Sequence, residues 1–192
     1  MSRPSHTCTF DVVFVCTGNR ARSALSEALY RRYAFGIDTR ARSFGTLDVG
    51  DAPALEHAVD AGRSLGVDLA AHSAVALSSG ALEEADLVLG FEPHHVAAAV
   101  IDGAAAPGRT FLLRELVDLL EPATQAGGTV VDAREAVAAA HERRPKSRGD
   151  VARYVIPDPV GQAPGVMLAM ATEIDELIRR VVWGLFGPRA HA

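Results

Sequence analysis

An apolar run, Val12-Val13-Phe14-Val15, leads without a break into Cys16-Thr17-Gly18-Asn19-Arg20-Ala21-Arg22-Ser23 and then into a helical stretch from Ala24 to Tyr33. A continuous run of β-branched and aromatic residues is the pattern of a strand buried on both faces, which needs neighbouring strands at its sides and helices above and below it. The connection that follows is the loop of a strand-to-helix unit, and it ends where a helix presents unpaired backbone N–H groups and the positive end of its dipole. Oxyanions bind at such a place. Gly18 permits the backbone angles a tight loop needs, and Asn19 is the next most tolerant residue type for a left-handed conformation. Cys16 stands at the loop entrance with Arg22 returned beside it, a field that favours the thiolate. The same donors would hold the oxygens of a phosphate against the sulfur. A lone cysteine is most often a small buried hydrophobe, but the Gly, Asn, Arg and Ser at these offsets have no reason to surround an inert thiol. Ser23 has two readings: a helix N-cap, or a hydroxyl bonded to the Cys16 sulfur.

Past this unit, periodicity alternates between strand and helix. Strands are expected over 10–15, 40–44, 86–91 and 109–113. Helices are expected over 23–35, 51–65 (stopped by Gly66), 92–101, 114–120, 131–141 and 165–186. Alternation of this kind implies a parallel sheet covered on both faces, with ligands bound at the carboxyl ends of its strands. A chain of 192 residues, 48% hydrophobic and 22% charged, suits one domain with a core of its own. No apolar stretch reaches membrane-spanning length, and residues 1–9 lack the core of a signal peptide, so a cytoplasmic protein with no membrane partner is expected. With Cys8 and Cys16 as its two cysteines, the chain builds neither a disulfide framework nor a cysteine-rich zinc site. The net charge of −5 argues against nucleic-acid binding. One basic run, Arg143, Arg144, Lys146 and Arg148, reads as a solvated loop or as a docking patch for an anion.

A cysteine that attacks phosphorus needs a general acid to protonate the departing oxygen. Asp158 is the candidate: in Ile156-Pro157-Asp158-Pro159 the flanking prolines stiffen the loop that carries it.

These residues resemble the low-molecular-weight protein tyrosine phosphatase family. Cys16, Gly18, Asn19, Arg22 and Ser23 match its Cys-x5-Arg-Ser loop. Ser43-Phe44-Gly45-Thr46, the stretch from Gly66-Val67-Asp68 to His72, Ala85-Asp86-Leu87-Val88-Leu89 and Pro157-Asp158-Pro159 follow in the family's order. The resemblance implies an α/β fold of three layers, flavodoxin-like, with a four-stranded parallel sheet and helices on both faces. It implies Cys16 as nucleophile, Arg22 as the residue that stabilises the transferring phosphoryl group, and Asp158 as acid and then base. Thr17, Gly18, Asn19, Arg20, Ala21, Arg22 and Ser23 would form the phosphate-binding loop. Ser43 and His72, with Asn19, would supply the network that holds it, although a strand-end serine and a histidine preceding a Ser73 helix cap are the ordinary readings of those two. No metal and no cofactor are implied. The substrate would be a phosphotyrosine protein or a small phosphomonoester, turned over through a phosphocysteine. A phosphatase for a biosynthetic metabolite, an arsenate reductase using an external low-molecular-weight thiol, and a non-catalytic phosphate-binding module are the alternatives.

The pattern departs from the family in several places. Val160 and Gly161 follow Pro159 where tyrosines often stack on the substrate ring, leaving Phe35, Phe44, Phe91 or Tyr154 as replacements. Arg20 occupies a position that is commonly apolar; it would either meet a second anionic group or be solvated. The chain reads as a single domain over residues 1–192 with an insertion around 121–153, which could cover the pocket. The Trp183-Gly184-Leu185-Phe186 end reads as packed core.

Overall fold

The computed structural model describes residues 9–78, 80–120, 128–145 and 150–187. Cys8, Lys146 and Arg148, singled out above, lie outside the described residues, as do 121–127 of the expected insertion.

The apolar run is the middle of β1 (Phe10–Cys16), which is buried along its whole length. It pairs in parallel with β2 (Thr39–Gly45) on one side and β3 (Leu87–Gly90) on the other, and β3 pairs in parallel with β4 (Thr110–Leu112). The order β2-β1-β3-β4 puts the cysteine-bearing strand at the centre. Side chains alternate across it. Val12, Phe14 and Cys16 enter a large core with α1 (Arg22–Tyr33), α2 (Glu56–Ser64), α4 (Leu113–Leu119) and α6 (Pro164–Phe186). Val13 and Val15 enter a smaller core on the opposite face with Leu82, Ala85 and Ala99, the last from α3 (Pro93–Ile101). The expected sheet, strand number and two-sided covering are all present.

Two differences matter. The helix expected from Asp51 begins at Glu56. Pro53 disfavours helical geometry in the residue before it, and the segment runs extended, with Pro53 bridged to Ser73, the Ala52 carbonyl taking the Ala74 N–H at 2.9 Å and the Leu55 N–H donating to the Arg20 carbonyl at 2.9 Å. That bridge also leaves no helix at Ser73 for His72 to precede. The second difference concerns the expected insertion. Its described core is α5 (Val130–Glu142), started by Thr129 and Asp132 in a reciprocal cap and buried through Ala133, Val137 and Ala140. The helix does not cover the carboxyl ends of the strands. Arg134 holds Asp86, just ahead of β3, at 2.7 Å and the Thr9 carbonyl, just ahead of β1, at 3.3 Å, so α5 sits at the strands' entry end. An open cavity of about 990 Å³, lined by Asp11, Asp86, Arg109, Arg134 and His141 among others, lies there too.

The described part of the basic run, Arg143 and Arg144, is tied to the fold and is not a loose loop. Arg144 donates to Glu115 at 2.8 Å and to the Thr110 carbonyl at 2.7 Å, with its guanidinium 4.1 Å from the Phe111 ring centroid, and Arg143 donates to the Leu119 carbonyl at 3.1 Å. At the end of α6, Leu185 and Phe186 are core as expected, while Trp183 is half exposed.

Candidate active site

The loop from Cys16 to Ser23 joins the end of the central strand to the start of α1, and its conformation follows from where its carbonyls go. Those of Cys16 and Thr17 accept the N–H groups of Thr46 (2.9 Å) and Leu47 (2.8 Å). The Asn19 carbonyl accepts His72 Nε2–H at 2.6 Å, and the Arg20 carbonyl accepts the Leu55 N–H. With the carbonyls drawn outward, the N–H groups turn inward. None of the backbone N–H groups of residues 17–23 has a hydrogen-bond partner among the described residues. Such a nest of donors, placed on a helix N-terminus, is an anion site.

Asn19 keeps the loop in shape. It takes the left-handed conformation (φ 52°) and is fully buried, its Nδ2 donating to Ser23 Oγ (2.9 Å) and Ser43 Oγ (2.8 Å) while Oδ1 accepts the Val75 N–H (2.8 Å). Of the two residues expected to tolerate such a conformation, Asn19 adopts it and Gly18 does not. Ser43 Oγ–H in turn donates a hydrogen bond to the carboxylate of Glu27, a residue of α1 that the sequence pattern did not single out. Gly45 lets β2 press against the loop: a Cβ there would stand 2.9 Å from the Thr17 carbonyl oxygen and 3.1 Å from the Asn19 nitrogen.

Ser23 is not the N-cap. The capping position is Ala21, without a side-chain cap, and Ser23 lies inside the first turn with Oγ 3.0 Å from Cys16 Sγ. Because Ser23 Oγ already accepts from Asn19, its proton is free for the sulfur.

Arg22 is 2% exposed. Its Nη1 donates to the Ile156 carbonyl at 3.0 Å and to Glu92, and its Nη2 donates to Thr17 Oγ1 at 3.3 Å and to Asp158 Oδ2 at 2.6 Å. Residues separated by most of the chain therefore meet at one guanidinium. Asp158 is further fixed by the Val160 N–H on Oδ1 at 3.0 Å. The Phe91 ring lies beneath Arg22, 5.9 Å from its guanidinium carbon.

Glu92 and His95, like Glu27, are residues that the sequence reading missed. Glu92 follows the carboxyl end of β3, and the rule that ligands bind beyond strand carboxyl ends would have singled it out. His95 is fully buried in the first turn of α3, and burial, with the Arg22 and His94 charges nearby, pushes its imidazolium down to about 3.

Arg20, expected either to meet a second anionic group of the substrate or to be solvated, donates from Nε to the Pro53 carbonyl at 2.7 Å. Of the proposed aromatic replacements, Phe91 is fully buried under Arg22 and Phe35 lies beyond the far end of α1, so neither offers a wall to a substrate ring. A groove of about 270 Å³ between α2 and the Asp158 loop is lined by Leu55, His57, Pro159, Val160 and Met167 without an aromatic carbocycle.

The sequence model of the low molecular weight phosphotyrosine protein phosphatase family matches residues 11–132, which hold the Cys16 loop with Glu27, Ser43, Gly45, His72, Glu92 and His95, while Ile156 and Asp158 lie beyond the match. The chain belongs to that family. It is a phosphatase with the family's flavodoxin-like α/β fold. A protein-arginine-phosphatase of Bacillus subtilis (strain 168) is 33% identical over 119 residues, covering 58% of this chain and 79% of the relative. Among solved structures, a low molecular weight protein tyrosine phosphatase from T. tengcongensis aligns with a TM-score of 0.66 at 26% identity, over 90% of this chain and 97% of that one. The YwlE arginine phosphatase, as a mutant with a phosphorylated active-site serine, aligns with a TM-score of 0.64 at 26% identity, over 89% and 92%.

Proposed function

We propose that this low molecular weight phosphatase hydrolyses phosphomonoesters through a phosphocysteine on Cys16. The observation that carries the reading is the convergence of Cys16 Sγ, the inward N–H groups of residues 17–23, the Arg22 guanidinium and the Asp158 carboxyl on one point. The Cys16 thiolate, stabilised by the Ser23 hydroxyl, attacks phosphorus. The S–P bond forms as the P–O bond to the leaving group breaks, and the departing oxygen takes its proton from Asp158. Water then attacks phosphorus, the S–P bond breaks back to thiolate, and the Asp158 carboxylate accepts the proton from water. Negative charge on the equatorial oxygens falls on the loop N–H groups and Arg22; donors of this kind are each worth about 2.7–4 kcal/mol where one has been removed from an oxyanion site. In the resting site Asp158 is bound to Arg22. An arriving phosphoryl group competes for that guanidinium and releases the carboxyl for its acid role.

The substrate class is a phosphorylated side chain or small phosphomonoester that needs no aromatic wall, since the groove beside Asp158 has none. Phosphoarginine in a protein is the second reading, favoured by the 33% identity to a protein-arginine-phosphatase. The test is metal-free hydrolysis of an aryl phosphate, a phosphotyrosine peptide and a phosphoarginine peptide by the native chain, Cys16→Ser and Asp158→Asn. Turnover abolished in Cys16→Ser, strongly reduced in Asp158→Asn, with phosphate on Cys16 by mass spectrometry of acid-quenched enzyme, is the expected result. Turnover that survives Cys16→Ser would sink the mechanism.

A further inference from the structure

His95 contributes nothing to the two-step mechanism above, yet it is a fully buried histidine one hydrogen bond away from the phosphate loop. Its two ring nitrogens have separate duties. Nδ1 accepts the backbone N–H groups of Phe91 (3.3 Å) and Glu92 (3.1 Å), so it carries no proton. The proton of the neutral ring is on Nε2, which lies 3.1 Å from Thr17 Oγ1. The imidazole is therefore the donor and the threonine oxygen the acceptor. Arg22 Nη2 donates to the same oxygen at 3.3 Å.

A hydroxyl oxygen has two lone pairs, and both are now engaged. Thr17 can only give its proton away, and no acceptor for it exists among the described residues. Cys16 Sγ is bonded to Ser23 and not to Thr17. The threonine shares Arg22 Nη2 with Asp158, so its hydroxyl stands on the side of the guanidinium that faces the acid. We propose that His95 is a positioning residue that fixes the Thr17 hydroxyl as a hydrogen-bond donor to the transferring phosphoryl group, beside the loop N–H groups and Arg22. A hydroxyl free to rotate would spend part of its time as an acceptor, turning its lone pairs toward phosphoryl oxygens; His95 and Arg22 remove that orientation. The inference rests on the phosphocysteine reading of the site.

The experiment is aryl phosphate kinetics, with inorganic phosphate as competitive inhibitor, for native enzyme, Thr17→Val, Thr17→Ser, His95→Asn and the Thr17→Val/His95→Asn double variant. Val keeps the shape of Thr without its hydroxyl. Asn at position 95 can still accept the Glu92 N–H but is too short to reach Thr17. A neutral donor to a charged group is worth about tenfold to hundredfold. Thr17→Val should lower kcat by about that factor with the inhibition constant of phosphate changed less than about threefold, because the contact tightens as charge develops. Thr17→Ser should restore most of the loss. His95→Asn should cost about tenfold alone and less than about twofold in the Thr17→Val background, a non-additivity that a merely structural histidine would not show. Full Cys16-dependent turnover in Thr17→Val, or an undiminished His95→Asn effect in that background, overturns the proposal while leaving the phosphatase reading intact. Turnover that does not depend on Cys16 overturns both. Should His95→Asn lose its cooperative melt, the comparison of Thr17→Val with Thr17→Ser decides by itself.

Discussion

Replacing His95 by asparagine should flatten the acid side of this protein's stability profile. The folded chain holds the imidazole neutral down to about pH 3, because it is buried and because Arg22 and His94 disfavour a further positive charge. In the unfolded chain the same ring protonates near 6.5. Between these values the unfolded state binds more protons than the folded state, so stability rises with pH. The contribution is complete above about pH 6.5 and is eroded as pH falls toward about 3. Going from pH 7.5 to pH 5.0, the unfolded chain gains close to one proton at this site and the folded chain gains almost none, which integrates to about 2 kcal/mol of lost stability. The figure at pH 5.0 barely depends on whether the folded value is 3 or 4. Urea unfolding of native protein and His95→Asn at both pH values isolates the effect, because the other ionisable groups are common to both chains and their contributions cancel in the difference. The native chain should lose about 2 kcal/mol more than the variant over this interval. Equal losses would refute the reasoning, and would mean that the histidine is solvated or charged in the fold.

Gly45→Ala should damage catalysis more than folding. Its Cβ would meet loop backbone at 2.9 Å (Thr17 O), 3.0 Å (Gly18 C) and 3.1 Å (Asn19 N), where no side chain can swing aside. We expect an overpacking cost of about 1–3 kcal/mol in a thermal melt and a fall of more than about tenfold in kcat/KM; native kinetics would show that the loop tolerates displacement. Arg134→Met removes the ion pair to Asp86, measured at 2.7 Å between Arg134 Nε and Asp86 Oδ1, at the strand entries. The melt should report a loss of about 1 kcal/mol, and kcat should stay within about twofold of native; a larger kinetic effect would contradict the placement of α5 at the end remote from Cys16.

Much of this site could be read in the chain because strand, loop and helix succeed one another there without a gap. An apolar run, a tight turn and a helix start define both a topology and an anion site, so Cys16, Asn19, Arg22 and Ser23 needed no tertiary information. Asp158 was legible only through its pairing with a cysteine that needs an acid, since an Asp between prolines is otherwise an ordinary turn. Glu27, Glu92 and His95 escaped because each looks like a routine helix residue until the sheet brings β1, β2 and β3 side by side. The 51–55 segment was misread for a related reason: its apolar spacing suits a helix, but its backbone is committed to the phosphate loop and to the strand-like stretch around Ser73. The placement of α5 could not be derived at all, because an amphipathic helix says which of its faces is buried but not against which end of a sheet.

The position of α5 divides this small protein into two poles under separate demands. Chemistry occupies one, where a shift of a few tenths of an ångström in Gly45 or Asn19 would be felt by the sulfur. The other pole carries α5, fastened by Arg134 and by apolar side chains, with an open cleft of about 990 Å³ beside it. Contacts at the second pole do not reach the first, so the outward face of α5 is free to change in sequence without retuning the reaction.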